Sequence, residues 1–409
     1  MNILFLTISR IQDIDSRDIY TDLIRKFRNE GHLVYVVTPY ERQFGLQTAL
    51  TESKGVYILG VRTLNLQKTN IIEKGIGTIL LETQFNKAIK KHLNSVTFDL
   101  ILYSTPPITF TNVVKNLKKK NPQAISYLLL KDIFPQNAVD LGMFSKNSLF
   151  YWYFRKKETH LYRHSDYIGC MSPANVEFVI RHNTFIPPER VEVAPNSIEL
   201  SPSPFSSDKT KIRKKYHLPK DKLVFIYGGN LGKPQGISFL IQCLNVNKQR
   251  NDCHFLIVGN GTEYPKLKSW FDNTKPQNIS LFSGLPKEEY DELVQSCDIG
   301  LIFLDYRFQI PNYPSRLLSY LKYKMPIIAA TDVNTDIGTI AEKNGYGYWC
   351  ESNSTAHFTE CINKFIQYPE SIKKMGEKGY QFLLNNYLIE NTYQKLSLIH
   401  ISEPTRRTP

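Results

Sequence analysis

A chain of 409 residues, 42% hydrophobic and 22% charged, has a globular composition and the length of two domains, which excludes a disordered chain. Its formal charge of +13 suits an anionic partner (nucleotide phosphates, nucleic acid or an anionic membrane face) without choosing among them. Six cysteines lack pair spacing, no Cys-x-x-Cys zinc pattern or aromatic RNA-binding strand motif occurs, and no apolar run approaches a membrane span, so the cysteines read as reduced core residues of a cytosolic protein.

The opening MNILFLTISR has a short apolar run with no basic region before it and reads as a strand, not a signal peptide. Apolar residues at 19, 20, 23, 24 and 27 predict a helix over Ile19–Asn29, stopped by Gly31. LVYVVTP and Val56–Val61 follow as strands, Ile71–Leu93 as a helix, and FDLILYSTPP as a buried strand ending at a proline pair. Val113–Lys120 is a basic helix, AISYLLLKDIFP a strand, Leu149–Asp166 an aromatic and basic helix, and YIGCMSP and VEVAPNSIE short strands. The Ser/Pro-rich stretch SPSPFSSDKTK separates this region from the next.

The alternation then restarts. KLVFIYGG, CHFLIVGNG, NISLFSG, DIGLIFL and MPIIAAT read as strands, with helices over Ile237–Val246, Tyr264–Phe271, Lys287–Ser296 and Ser315–Lys324 between them. Lys373–Tyr393 reads as a closing helix. Strands alternating with helices give an α/β protein with parallel sheets and right-handed crossovers, here in two domains.

Two glycine turns stand at strand ends. In YGGNLGKPQG, residues 227–236, glycines between a strand and a helix permit positive φ and close approach of a ligand to backbone. The free N–H groups of a following helix suit phosphate, and Lys233 adds a cation. The second turn is VGNGTE, residues 258–263. Each is also readable as a plain connection. Neither GxGxxG nor GxxxxGK[ST] is present, which speaks against a dinucleotide oxidoreductase and a P-loop ATPase. Ser315 is placed to cap a helix that Arg316 begins, where a cation opposes the dipole. Arg316 therefore reads as an anion ligand or as an ordinary surface arginine.

Taken together, ERQFG (41–45), KDIFPQNAVDLGMFSK (131–146), DYIGCMSPANVEFV (166–179), VAPNSIE (193–199), YGGNLGKPQG, VGNGTE and IPNYPSRLLSYLKYKMPIIAATDVNTDIG (310–338) resemble the GT-B glycosyltransferases of the large retaining family 4. The resemblance is nearer to the bacterial branch that builds capsule and O-antigen repeat units, including N-acetyl-L-fucosamine transferases. It implies two Rossmann-like parallel-sheet domains facing across a cleft. Residues 1–195 would bind the acceptor, 196–372 the nucleotide sugar, and 373–395 would be a closing helix returning to the first domain. The tail LSLIHISEPTR within 396–409 resembles the translation of a sequencing-library adapter, and the natural C-terminus is expected to differ.

The implied donor is a UDP-sugar. Its diphosphate and sugar would lie beside Gly229, Asn230, Gly232 and Lys233, with Lys233 or Arg316 countering charge. Gly259 to Glu263 and Phe282 to Leu285 would lie near uridine, and Asn312, Pro314 and Ser315 would approach the donor. The family carries two glutamates in this segment, and the corresponding places here hold Pro311 and Ser319. Ser319 would make a shorter, uncharged contact to ribose, and sugar-ring recognition would fall to Asn312 or backbone amides. Family members are described by front-face attack, in which the donor phosphate takes the acceptor proton. No Asp-x-Asp pair stands at the strand ends of the second region, the one such pair in the chain, Asp13 and Asp15, lying after the first strand, so no metal is expected.

On the acceptor side the resemblance places Asp132 near the reaction centre, as an orienter of the acceptor hydroxyl or as a helix cap, with Gln136 and Asp140 as polar neighbours. Asp15, Arg17 and Asp18 follow the first strand as acceptor contacts or as a solvated loop. Glu158 reads as the partner of a neighbouring Lys or Arg. LFYWYFRKKETHLYR, with LKKK at 117–120, reads either as an anionic-membrane contact, bringing the site to an undecaprenyl-diphosphate-linked saccharide at the inner face of the plasma membrane, or as a packed interdomain helix. Rival readings are transfer of another sugar to a soluble acceptor, a non-catalytic nucleotide-sugar-binding protein, and an epimerase. No nucleic-acid partner is expected.

Overall fold

The computed structural model describes residues 1–66, 71–200 and 208–402. Its contacts divide the chain into two compact units, one of residues 1–199 with 389–409 and one of residues 200–388.

The first unit contains β1 (Asn2–Leu6), α1 (Ile19–Asn29), β2 (Leu33–Glu41), β3 (Ala49–Ser53), β4 (Val56–Thr63), α2 (Ile71–His92), β5 (Leu100–Ser104), α3 (Thr111–Lys120), β6 (Ile125–Leu130), α4 (Gln136–Asp140), α5 (Leu149–Arg163), β7 (Tyr167–Cys170), α6 (Pro173–His182) and β8 (Val191–Val193). Its sheet has eight strands in the order β3-β4-β2-β1-β5-β6-β7-β8. β1, β5 and β6 are buried on both faces, as their unbroken apolar runs require of central parallel strands. α1 begins where Asp18 accepts from Tyr20 N (2.7 Å) and Thr21 N (3.0 Å), and Thr21 Oγ1 takes the Asp18 N–H in return.

One strand departs from the expected all-parallel sheet. β3 pairs antiparallel with β4 across a turn in which Lys54 and Gly55 have φ of 50° and 81°, the left-handed pair that a two-residue hairpin demands.

The second unit contains α7 (Lys209–Lys215), β9 (Leu223–Asn230), α8 (Ile237–Asn247), β10 (Cys253–Asn260), α9 (Tyr264–Thr274), β11 (Ile279–Phe282), α10 (Lys287–Gln295), β12 (Ile299–Phe303), α11 (Arg316–Lys322), β13 (Ile327–Thr331), α12 (Ile337–Lys343), β14 (Gly347–Glu351), α13 (Thr355–Gln367) and α14 (Ser371–Asn386). Its six strands run β11-β10-β9-β12-β13-β14, every neighbouring pair parallel. β9 has β10 on one side and β12 on the other, so the order reverses there. The crevice beyond the carboxyl ends of β9 and its neighbours is the place where open α/β sheets take ligands.

The segment 373–395, expected as one closing helix, is two. α14 packs on the second unit, where Gly376 lies so close to Lys324 that an added Cβ would stand 1.9 Å from the Lys324 carbonyl oxygen. α15 (Ile389–Ser402) belongs to the first unit, with Thr392 Oγ1 bonded to Ser197 Oγ at 2.8 Å and Tyr393 Oη to His32 Nε2 at 3.0 Å. Most of the Ser/Pro-rich separator (201–207) and the end of the tail (403–409) lie outside the described residues. Among the described residues no helix is long and apolar enough to cross a membrane.

Candidate functional site

In the second unit a cavity of about 660 Å³ opens at the switch point, lined by Gly228, Gly229 and Asn230 at the end of β9 and by Val258, Gly259 and Asn260 at the end of β10. Gly284 and Leu285 after β11, Lys287 and Tyr290 on α10, Gln235, and Pro314, Ser315, Arg316 and Ser319 around the start of α11 complete it. The lining holds two cations, Lys287 and Arg316, and no carboxylate.

Two glycines mark close approaches, Gly259 to backbone and Gly228 to a side chain. A Cβ on Gly259 would stand 1.9 Å from the Gly229 carbonyl oxygen, and one on Gly228 would stand 1.8 Å from Tyr290 Oη. Gly229 adopts φ of 118°, a conformation that side chains oppose. The β9 turn beyond it is braced internally. Tyr227 Oη donates to the Asn230 carbonyl at 2.7 Å, and Gln235 Oε1 accepts from Asn230 Nδ2 (3.1 Å) and Gly232 N (3.2 Å).

Arg316 lies over the Tyr227 ring, its Cζ 4.3 Å from the centroid, and its guanidinium faces Gly229, with Nη2 3.6 Å from where a Cβ would be. Arg316 Nη1 is buried with no hydrogen-bond partner, and among the described residues the side chain forms no ion pair. A buried donor left empty is costly unless an acceptor completes it.

Of the residues singled out in the sequence, Gly229, Asn230, Gly259, Leu285, Pro314, Ser315, Arg316 and Ser319 share this cavity. Gly232, Lys233, Glu263 and Asn312 do not line it. Lys233 is exposed, because the short helical turn Lys233–Gln235 turns it outward. Glu263 occupies the N-cap of α9 and its N–H binds the Leu231 carbonyl at 2.9 Å. The Asn312 N–H donates to Thr335 Oγ1 at 3.0 Å and its Nδ2 to the Ile310 carbonyl at 3.2 Å. Ser315 stands at the N-cap of α11 but makes no capping side-chain bond, since its own backbone is already helical (φ −65°, ψ −15°).

Sequence reasoning missed Tyr290, Lys287 and Gln235. Tyr290 reaches β9 across the sheet from α10, and its only local mark was an aromatic in an otherwise acidic helix.

The remaining candidates belong to the first unit. Asp132 follows β6, and both its carboxylate oxygens accept from Asn137 Nδ2 at 2.8 Å. Burial pushes its carboxyl up to about 6. The N-cap of α4 is Pro135, so Asp132 is not a helix cap. Its neighbour Lys131 is pushed down to about 7 by burial. Gln136 Nε2 donates to Asp140 Oδ1 at 2.7 Å. Asp15 is paired with Lys54, and Arg17 with Glu199 at 3.3 Å. Both are largely solvated pairs of small energetic weight. Glu158 is buried between Arg155 and the Tyr162 hydroxyl (2.8 Å). Among the described residues no group of three or more His, Cys, Asp or Glu is placed to hold a metal.

Residues 208–382 match the family model described as "Glycosyl transferases group 1". The chain is 22% identical over 325 residues, 78% of each chain, to the Pseudomonas aeruginosa protein named "Probable glycosyltransferase WbjE". It is 21% identical over 199 residues, 48% of this chain and 50% of the other, to an N-acetyl-alpha-D-glucosaminyl L-malate synthase of Bacillus anthracis. Among solved structures it resembles a sucrose-phosphate synthase of Thermosynechococcus elongatus (TM-score 0.78, 14% identity, 98% of each chain). It also resembles the Anabaena protein HepE in complex with UDP and glucose (TM-score 0.68, 14% identity, 98% and 100% covered). Two parallel-sheet units with these likenesses constitute the GT-B fold, and the family match and fold together support catalytic glycosyltransferase activity.

Proposed function

We propose that the chain transfers a glycosyl group from a UDP-sugar, and that the cavity at the ends of β9 and β10 is its donor site. The observation that supports this most directly is the carboxylate-free lining with Arg316, a half-buried side chain whose buried Nη1 lacks a partner. A diphosphate supplies the missing acceptor and the missing negative charge. Glycine backbone at 228, 229 and 259 lets the ligand approach the chain closely. HepE, a structural likeness, is in complex with UDP and glucose, which favours uridine over other bases.

In this reading the bond from the anomeric carbon to the diphosphate oxygen breaks, and the acceptor oxygen bonds to that carbon. The acceptor proton leaves on the departing phosphate, and the configuration is retained. Arg316 and Lys287 take up the charge of the departing diphosphate, while Lys233, exposed and outside the lining, meets solvent or the outer phosphate. Ser319 offers one neutral hydroxyl to the ribose. Asp132, in the first unit, orients the acceptor hydroxyl with the half-buried, Asn137-held carboxylate described above.

The comparisons favour a GT-B transferase of unspecified sugar over the N-acetyl-L-fucosamine specificity, which rests on the sequence resemblance alone. For the acceptor two readings remain in play. A lipid-linked saccharide of capsule or O-antigen synthesis, met by a peripheral enzyme at the cytoplasmic membrane face, is supported by the exposed aromatic start of α5. A soluble acceptor is supported by the likeness to the N-acetyl-alpha-D-glucosaminyl L-malate synthase.

A panel of UDP-sugars would be offered with an undecaprenyl-diphosphate monosaccharide and, separately, with small hydroxy acids, and products read by mass spectrometry. UDP should stabilise the folded protein against heat in every case. No thermal shift at millimolar UDP would sink the donor reading, and transfer only to the soluble acceptors would sink the lipid-linked one.

A further inference from the structure

We infer that the N-terminal ends of α2 and α5 together form an end-on docking face for an anionic lipid bilayer. A helix joining two parallel strands runs against them, so its first residues lie at the rim where the strands end. α2 joins β4 to β5, and α5 lies between β6 and β7. Their beginnings therefore lie at the same rim as Asp132, just past β6. The two helices are tied at one level. Glu82 on α2 accepts from Lys157 Nζ on α5 at 3.0 Å and from Asn112 Nδ2 at 2.8 Å.

Toward the rim from that tie, both helices expose large apolar side chains. On α5 these are Leu149 (86% exposed), Phe150 (69%) and Trp152 (63%), and on α2 Ile76 (49%), Ile79 (56%) and Leu80 (41%). Apolar surface of this kind marks a contact. Away from the rim the exposed positions turn basic, with Lys87 and Lys90 on α2, Lys115 and Lys119 on α3, and Lys156 and Arg163 on α5.

The acidic residues within these three helices are Glu73, Glu82 and Glu158, and each is ion-paired, to Arg42, Lys157 and Arg155. An uncompensated positive collar behind an apolar tip fits anionic headgroups. At 1.5 Å per residue, Lys156 stands about 6 Å and Arg163 about 16 Å behind Trp152 along the axis, and Lys87 about 12 Å behind Ile79. Apolar side chains reach about 5–10 Å into a bilayer boundary, so the tips enter while the collar stays at headgroup level. A helix lying flat would instead wet its whole exposed stripe evenly.

The inference deepens the lipid-linked acceptor reading and rests on it only for its purpose. Flotation of the full chain with phosphatidylglycerol-containing and pure phosphatidylcholine vesicles tests it. Binding should require the anionic lipid and weaken with salt. F150Q/W152Q and I79Q/L80Q should each reduce it at least tenfold. K87Q/K90Q should weaken it about fivefold per lysine removed. UDP binding should be unchanged in all of them, because the donor cavity belongs to the other unit, and this also controls for folding.

A polarity-sensitive dye on Ile79→Cys should shift to the blue on vesicles and one on Arg163→Cys should not. Folded, UDP-binding protein that ignores anionic vesicles would overturn the inference while leaving the donor reading standing. Three other results would also overturn it: binding untouched by both apolar variants, an equal shift of both dyes, or a solution dimer that F150Q/W152Q dissolves.

Discussion

At the scale of single residues, Arg316 is the side chain whose surroundings ask for something absent from the protein. Its aromatic floor, Tyr227, supplies no counter-charge. R316A should lower UDP affinity by tenfold or more by calorimetry, and R316K should recover little, because an ammonium cannot reproduce the planar fork. Asp132 carries the pH prediction. Burial raises its carboxyl from 3.8 to about 6. The native state thus holds a proton between those values that the unfolded chain has lost, and this group's contribution to stability falls as pH rises through that window. Turnover should do the reverse and rise through about pH 6 as the carboxylate forms. D132N should lose that step and about a hundredfold in kcat with donor KM unchanged. A D132N enzyme with the same rising limb would show that another group titrates. Arg316 and the close-packed glycines were legible because a cation at a helix start and small residues at strand ends are local marks. Tyr290 was not, since its meaning lies in a contact between its helix and Gly228 on β9, distant in sequence.

At the scale of elements, the segment leading into α11 is held by a bracket at the end of β13. Asp332 Oδ1 accepts from Asn334 N and Thr335 N, and its Oδ2 from Thr335 Oγ1, each at 2.9 Å. Thr335 Oγ1 accepts from Asn312 N at 3.0 Å, and Asn334 Nδ2 binds the Phe308 carbonyl at 2.8 Å. D332A leaves two backbone donors unpaired and should cost about 2–3 kcal/mol in denaturant unfolding, with weaker UDP binding as Pro314–Arg316 loosen. A second pin fixes the entry to β9. Arg213 Nη2 pairs with Asp298 Oδ2 at 2.6 Å, and the same oxygen accepts from Val224 N at 2.8 Å. Arg213 is buried, but Asp298 keeps Lys209 Nζ at 3.5 Å and the Val224 N–H when Arg213 is removed, so R213A should cost about 2–3 kcal/mol, read as a lower urea midpoint at constant slope. The strands and helices themselves were readable from apolar period. β3 was not, because its face is mostly exposed and carries no apolar alternation.

At the scale of the whole molecule, each unit closes its own sheet over its own apolar core, and the chain passes between the units after Glu199 and again after Leu388. All six cysteines are free and buried, and burial pushes the Cys253 and Cys297 thiols up to about 12. A thiol reagent should therefore titrate almost none in the native protein and six after denaturation. Reaction of two or more thiols in the native state would contradict the placement of these side chains.

Composition and period alone determined that this chain makes two α/β units and that FDLILYSTPP holds a buried strand, because a parallel strand covered on both faces must be continuously apolar. The glycine turns also announced themselves, since a positive φ and a missing Cβ are properties of one residue. Only the tertiary structure decided which of the candidate residues meet. It gathered Arg316, Ser319 and Leu285 with Gly229 and Gly259 and turned Lys233, Glu263 and Asn312 elsewhere. The physical reason is that a cavity is made by strand order and helix packing, which bring distant segments within a few ångströms and leave neighbours in sequence facing apart.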